Sequence, residues 1–289
     1  MDIEVQLPGT GESSEQEKRK GFGWFRRPGG RKSAAPKHRR IIVLDEVRGL
    51  CVFLMVIYHM LYSAGEFFNF ESFSTLMKLV SPLEPVFAGL FIVICGASCR
   101  LSHNNFLRGI ELAGVAALVT LVTAVIMPAI GFEGAEIRFG VLHMLAFCIL
   151  FYAVFAKLLD KVPAQAGILA ALILYLFTRF IDIGIFGIPY VDAMNIHLPD
   201  YLYECDWLFP LGFHDASFFS ADYFPILPWI FVFLAGVFGG GWLVKAELPE
   251  TAYRMHIRPL AFLGRHALIV YIVHQPIIFA ICLPLSFIF

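Results

Sequence analysis

The sequence has few charges and little tryptophan: 16% of its 289 residues are charged, and four are Trp. A soluble domain carries about 25% charged and about 45–50% apolar residues. Here 58% are hydrophobic and mean hydropathy is +0.73, which excludes a single water-facing core. Neither sign of charge is in excess, the net charge being −1, so the overall balance names no polyanionic or polycationic partner. Also missing are a GxxxxGK[ST] phosphate loop, a glycine fingerprint between strand and helix, and a zinc-type His/Cys spacing. No metal is therefore expected, and nothing points to nucleic acid. Of the six cysteines, five (Cys51, Cys95, Cys99, Cys148 and Cys282) lie inside apolar runs and read as small hydrophobes. Cys205 stands alone in a polar loop, so no disulfide framework is expected.

What is present is apolar length. Seven stretches, near 41–63, 84–101, 107–130, 138–159, 165–186, 222–243 and 261–284, alternate with short polar segments. Crossing a ~30 Å hydrocarbon core takes about 20 helical residues, so an all-α membrane protein is expected, a polytopic bundle of about seven transmembrane helices. Residues 1–40 are polar, rich in Gly, Ser, Pro, Lys and Arg, and read as a disordered basic cytoplasmic tail; residues 41–289 form the membrane domain. Ten Lys and Arg lie between Lys18 and Arg40. Arg100 and Arg108 follow the second stretch, Lys157 and Lys161 the fourth, and Lys245, Arg254, Arg258 and Arg265 separate the sixth from the seventh. The intervening connections hold only Lys78 and Arg138, which places the N-terminus in the cytoplasm.

The connection 187–221 is then extracytoplasmic. It carries Asp192, Asp200, Glu204, Asp206 and Asp215, no Lys or Arg, and the aromatics Tyr190, Tyr201, Tyr203 and Trp207. Carboxylates beside aromatic rings suit a sugar; a solvated cap over the bundle explains them equally well.

Ionisable groups inside spans are costly and mark functional sites by default. In the first stretch Asp45 and Arg48 are one turn apart and suited to pair. Arg48 and His59 are eleven residues apart, three turns plus about 20°, so they share a helix face about 16 Å apart along the axis. His143, about 7 Å below the outer boundary, and His274, near the middle, are further candidates. Single intramembrane residues of this kind also snorkel to headgroups or bond a neighbouring helix. An imidazole suits proton transfer at neutral pH; a guanidinium suits phosphate. A phosphate-bearing donor entering from the cytoplasm, such as acyl-coenzyme A, fits that polarity, with Arg48 and Asp45 on the donor side and His59, His143 and His274 as catalytic candidates. Arg179 and Asp182, one turn apart in the fifth stretch, read as an internal ion pair. Pro225 and Pro228 open the sixth, where Asp222 is suited to cap a helix or orient a histidine. Asp222 and Trp229 are candidates for substrate contact. Gly236, Gly239, Gly240 and Gly241 read as close helix packing.

The segments LDEVRGLCVFLMVIYH, RFGVLHMLA, SADYFPILPWIFVFLAGVFGG and LGRHALIVYIVHQP, taken in order, resemble the heparan-alpha-glucosaminide N-acetyltransferase catalytic-domain family over roughly residues 40–284. In the larger transmembrane acyltransferase superfamily an Arg and a His separated by ten residues recur in an early helix, and Arg48 and His59 match that spacing. The lysosomal member has its proposed catalytic histidine in the loop after this helix, so His59 follows the wider superfamily. The resemblance implies transfer of an acyl group, usually acetyl from acetyl-CoA as donor substrate, to a hydroxyl or amine of an extracytoplasmic glycan or glycolipid. It also implies a multi-pass protein of the bacterial cytoplasmic (inner) membrane. Lipid bilayer, acyl-CoA and acceptor are the expected partners, and a homo-oligomer is compatible with the sequence. A small-molecule transporter is the main alternative and a bis-histidine haem protein a weaker one. No inverted repeat supports transport, and no two histidines share a helix at a spacing that would place pairs on two helices.

Overall fold

The computed structural model describes residues 40–68, 70–129, 131, 134–189, 191, 194–205 and 207–285. The chain divides into Met1–His38 and Arg39–Phe289. The first unit, and with it the expected tail apart from Arg40, lies outside the described residues, as do Tyr190, Asp192 and Asp206 of the expected outer connection.

Long apolar runs become helices, because inside a bilayer every amide must find its partner within its own segment. The first, α1 (Ile42–Tyr62), continues into a π-helical turn, Ser63–Phe67. Then follow α2 (Glu71–Val80), a 3-10 turn (Ser81–Leu83) and α3 (Glu84–Leu101). α4 (Asn105–Leu121) runs through a second π-helical turn (Val122–Ile126) into the single turn α5 (Met127–Ala129). α6 (Val141–Leu159) and α7 (Ala164–Thr178) precede the long connection, whose only described strands are β1 (Ile185–Phe186) and β2 (Ile196–His197). They pair antiparallel with Ile185 opposite His197. The chain ends in α8 (Ile226–Lys245), α9 (Arg258–Arg265) and α10 (Ala267–Leu285).

The protein is thus an all-α polytopic membrane protein. Among the described residues six helical segments are long and apolar enough to cross a membrane: 71–101, 105–129, 141–159, 164–183, 226–245 and 267–285. α1, of 21 residues, has comparable length but carries Asp45, Glu46 and Arg48 in its first two turns. Two boundaries depart from the hydropathy reading. The second helical segment begins at Glu71 rather than 84, because α2 runs through a 3-10 turn into α3. The last stretch is broken at His266, whose amide is shared between the carbonyls of Phe262 and Leu263.

The core lies between α3, α6 and α8, where Ile92, Cys99, Met144, Cys148, Phe233 and Val237 are fully buried. Small residues let backbones approach where water-driven burial cannot help. A Cβ on Gly96 of α3 would overlap the Phe233 carbonyl oxygen; one on Gly236 of α8 would overlap that of Val93, and Gly240 lies against Ala97. Gly239 and Gly241, expected to share this role, do not: the first has open space around it and the second faces the Arg100 side chain. α1 and α9 cross as closely, a Cβ on Gly49 overlapping the Leu260 carbonyl and one on Gly264 that of Asp45.

Arg100 ties one end of the bundle together. It donates to the Val237 carbonyl (3.2 Å), pairs with Asp160 and lies over the Tyr152 ring at 5.5 Å. The expected Arg179–Asp182 ion pair is not formed. Both residues are exposed beyond the end of α7 at Thr178, so helical spacing does not apply, and Arg179 lies over the Phe180 ring at 5.4 Å instead.

Glu46, a buried carboxylate in α1, is satisfied from across the bundle. It accepts the amides of His256 (2.6 Å) and Ile257 (2.8 Å), which lead into α9, a favourable place for negative charge. Glu46→Ala removes these two bonds and the 3.2 Å contact with His256 Nδ1, and is expected to cost about 2 kcal/mol. Thermal unfolding of the detergent-solubilised chain reads this as a lower Tm; an unchanged Tm would mean that water replaces the carboxylate.

Candidate active site

α1 carries the site from end to end. At its start Asp45 is buried and shared among three arginines: Arg40 Nε at 2.6 Å, Arg48 Nη1 at 3.3 Å and Arg265 Nε, from the end of α9, at 3.9 Å. Three guanidinium groups against one carboxylate leave the cluster cationic. Their exposure differs, with Arg40 62%, Arg265 37% and Arg48 18% exposed in the side chain, so the outer two meet the surroundings and Arg48 faces inward. Arg48 also bonds Ser98 of α3. Asp45 therefore organises the arginines. Arg40 pairs locally, five residues ahead of Asp45, whereas Arg265 joins the cluster through tertiary packing, which spacing within the first stretch could not show.

One turn beyond Arg48, Cys51 begins the wall of a cavity of about 190 Å³. Its apolar wall includes Val52, Met55, Phe87, Phe91, Val141 and Phe224, and its polar lining is Tyr58, His59, Glu84, Asp222, Tyr223 and Tyr271. From Cys51 to His59 is about 12 Å along the helix. The same face of α1 thus leads from the cationic cluster through apolar wall to the imidazole, as the eleven-residue spacing predicts. His59 forms no hydrogen bond among the described residues; its ring contacts Tyr58 (centroids 5.7 Å) and His274 of α10 (5.0 Å).

Asp222 lines the cavity from the connection ahead of α8. Its Oδ2 accepts the Tyr271 hydroxyl (2.5 Å) and the Val141 amide at the start of α6 (3.3 Å), so the helix it caps is α6 and not its own. Burial pushes its carboxyl above the usual aspartate range, opposed by these two donors. Tyr271, one turn before His274, had no signature in the sequence, because a tyrosine in an apolar helix reads as core. Glu84 stands at the first position of an apolar stretch, where a carboxylate reads as a span boundary.

The other predicted residues fall elsewhere. His143 does not line the cavity. Thr120 spends its hydroxyl hydrogen on the Ile137 carbonyl (2.7 Å), so His143 Nε2 donates to Thr120 Oγ1 (3.1 Å) and Nδ1 accepts the Gly140 amide (3.2 Å). Both ring nitrogens are engaged in holding the start of α6 against α4. Trp229 packs against Phe224 of the cavity wall (5.1 Å) and Tyr175 (6.3 Å) without itself lining the cavity. In the long connection Trp207 is 85% and Tyr201 67% exposed. Tyr203 is drawn inward to the Ile181 carbonyl, and the Tyr223 hydroxyl donates to that of Phe209 at 2.6 Å. Among the described residues no group of three or more His, Cys, Asp or Glu is arranged to hold a metal ion.

Over residues 40–276 the chain matches the family described as heparan-alpha-glucosaminide N-acetyltransferase, catalytic. No curated protein and no solved structure matches it.

Proposed function

From the premise that the chain belongs to the heparan-alpha-glucosaminide N-acetyltransferase catalytic family and is a multi-pass membrane acetyltransferase, we propose that it moves acetyl from cytoplasmic acetyl-CoA to a hydroxyl or amine of an extracytoplasmic glycan or glycolipid. The membrane we assign is the bacterial cytoplasmic membrane. The observation that carries this reading is the polarity of α1, with an arginine cluster at one end and a cavity-facing imidazole toward the other.

Guanidinium groups suit the donor's phosphates. Arg40 and Arg265 are the accessible members, and Arg48 anchors the cluster to α3. An acyl end extending along α1 meets the apolar wall from Cys51 onward. His59 takes the proton from the acceptor's O–H or N–H as the new acyl bond forms. The C–S bond of the thioester breaks, and the thiolate leaves with a proton returned to it. The carboxylates and aromatic rings of the long connection suit an acceptor glycan.

The test uses the full chain in vesicles with its Arg40 end facing outward, radiolabelled acetyl-CoA outside and a crude envelope-glycan fraction within. Wild-type protein should transfer label to the glycan. Arg48→Ala should raise the donor KM about tenfold with little change in kcat, the kinetic form of lost uniform binding. Wild-type protein that neither binds nor consumes acetyl-CoA would overturn the donor assignment.

A further inference from the structure

His274 is only 5% exposed, and one of its ring nitrogens has no partner. Its Nδ1 lies 2.6 Å from the Tyr271 carbonyl oxygen. A carbonyl oxygen can only accept, so Nδ1 carries the hydrogen and Nε2 is left as a bare lone pair. That Nε2 is buried without a hydrogen-bond partner among the described residues. Leaving such a group unsatisfied costs about 1–3 kcal/mol, and in native folds it calls for a reason.

The surroundings supply one. The His59 ring lies beside His274 with centroids 5.0 Å apart and planes inclined by 48°. His59 lines the cavity and His274 stands behind it, outside the lining. Two imidazolium rings this close in an apolar bundle repel strongly, so the pair accommodates one added proton at a time. On its far side His274 is tied to a carboxylate through Tyr271, whose carbonyl accepts the Nδ1 hydrogen and whose hydroxyl donates to Asp222 at 2.5 Å. Glu84 is the other carboxylate at the cavity.

We propose that His274 is the proton reservoir of the transferase, receiving through His59 the proton that the acceptor loses. This rests on the reading of His59 as base and adds the destination of the proton. The acceptor's hydrogen moves to one nitrogen of His59 as the acyl carbon leaves sulfur for oxygen or nitrogen. A tilt of the His59 ring, which no side-chain hydrogen bond holds among the described residues, brings its other N–H to His274 Nε2, and that hydrogen moves across. His59 is neutral again with its tautomer exchanged, His274 is an imidazolium, and the coenzyme is a thiolate. The reverse transfer through His59 protonates the sulfur and restores both rings. No oxidant, reductant or further reactant is required. His274 acts through His59, so it is a positioning and proton-storing residue rather than one that touches substrate. The Nδ1 bond to Tyr271 serves this role by keeping Nε2 available.

Proton inventories of kcat in mixed light and heavy water test the relay in the full chain. Wild-type protein should give a curved inventory, because more than one hydrogen moves. His274→Gln should lower kcat about 100-fold, leave the donor KM unchanged and give a linear inventory. A kcat within about twofold of wild type, or a reduced kcat with the curvature retained, would overturn the proposal, since a purely structural loss does not change the number of protons in flight. An independent arm needs no turnover: histidine-selective 15N spectra of the detergent-solubilised chain should show His274 protonated at Nδ1 and bare at Nε2. Its titration should move in His59→Ala, and a His274 titration indifferent to His59 would also overturn the pairing. If the spectra show coupled rings while wild-type protein transfers no acetyl group, the pairing stands and the assigned reaction fails.

Discussion

Alanine at His59 is expected to lower the rate of acetyl transfer by about 10²–10⁴-fold, the usual contribution of a positioned general base. The donor KM should change little, because the arginines proposed to meet the phosphates lie at the other end of α1. The fold should survive. The described structure gives His59 ring contacts with Tyr58 and His274 and no hydrogen bond, so truncation removes no buried polar partner. That separates it from His143, whose two nitrogens both hold the start of α6. Labelled-acetyl turnover together with a melting curve on the same preparation reads both quantities. Full turnover in His59→Ala would move the base elsewhere in the cavity, with Glu84 and Asp222 the remaining carboxylates in its lining.

The second large effect is structural. Gly264→Ala places a methyl group where the Asp45 carbonyl oxygen already is, and neither backbone can yield without separating α9 from α1. Overpacking commonly costs about 1–3 kcal/mol and more when backbone must move. Here the displaced elements also carry Arg265 and Asp45, which pair at 3.9 Å, and the Glu46 bonds to His256 and Ile257. The expected outcome is a sharp loss of folded protein and, in what remains, a raised donor KM. Gly239→Ala is the control: nothing lies within 4 Å of a Cβ at that position, so yield and Tm should stay close to wild type. If Gly264→Ala behaves like Gly239→Ala, the α1–α9 crossing is looser than its geometry indicates.

These two glycines show what hydropathy and composition reach. A run of glycines near the end of the sixth stretch announces close packing, but which of them meets another backbone depends on the rotation of α8 against α3. Gly236 and Gly240 meet one and Gly239 does not. The same limit applies to Arg179 and Asp182: one-turn spacing implies a pair only where the helix continues, and α7 ends at Thr178. The break at His266 lies where Gly264, Arg265 and His266 interrupt the seventh stretch, a local mark that hydropathy averaged over the stretch smooths out.

By itself the sequence determined that this chain crosses a membrane repeatedly as helices, because unpaired backbone is not tolerated in hydrocarbon and apolar length is additive along a chain. It also determined that α1 presents Arg48 and His59 along one face, because helical rotation per residue is constant. Tertiary structure decided everything that needs two segments at one depth. Arg265 of α9 joins Arg40 and Arg48 around Asp45. Asp222 reaches Tyr271 and α6, and of the candidate histidines it is His274 that comes to stand behind His59 while His143 is spent on a helix start. Periodicity within one helix carries no information about its rotation against the next; packing between helices sets that rotation, and with it which imidazoles lie side by side.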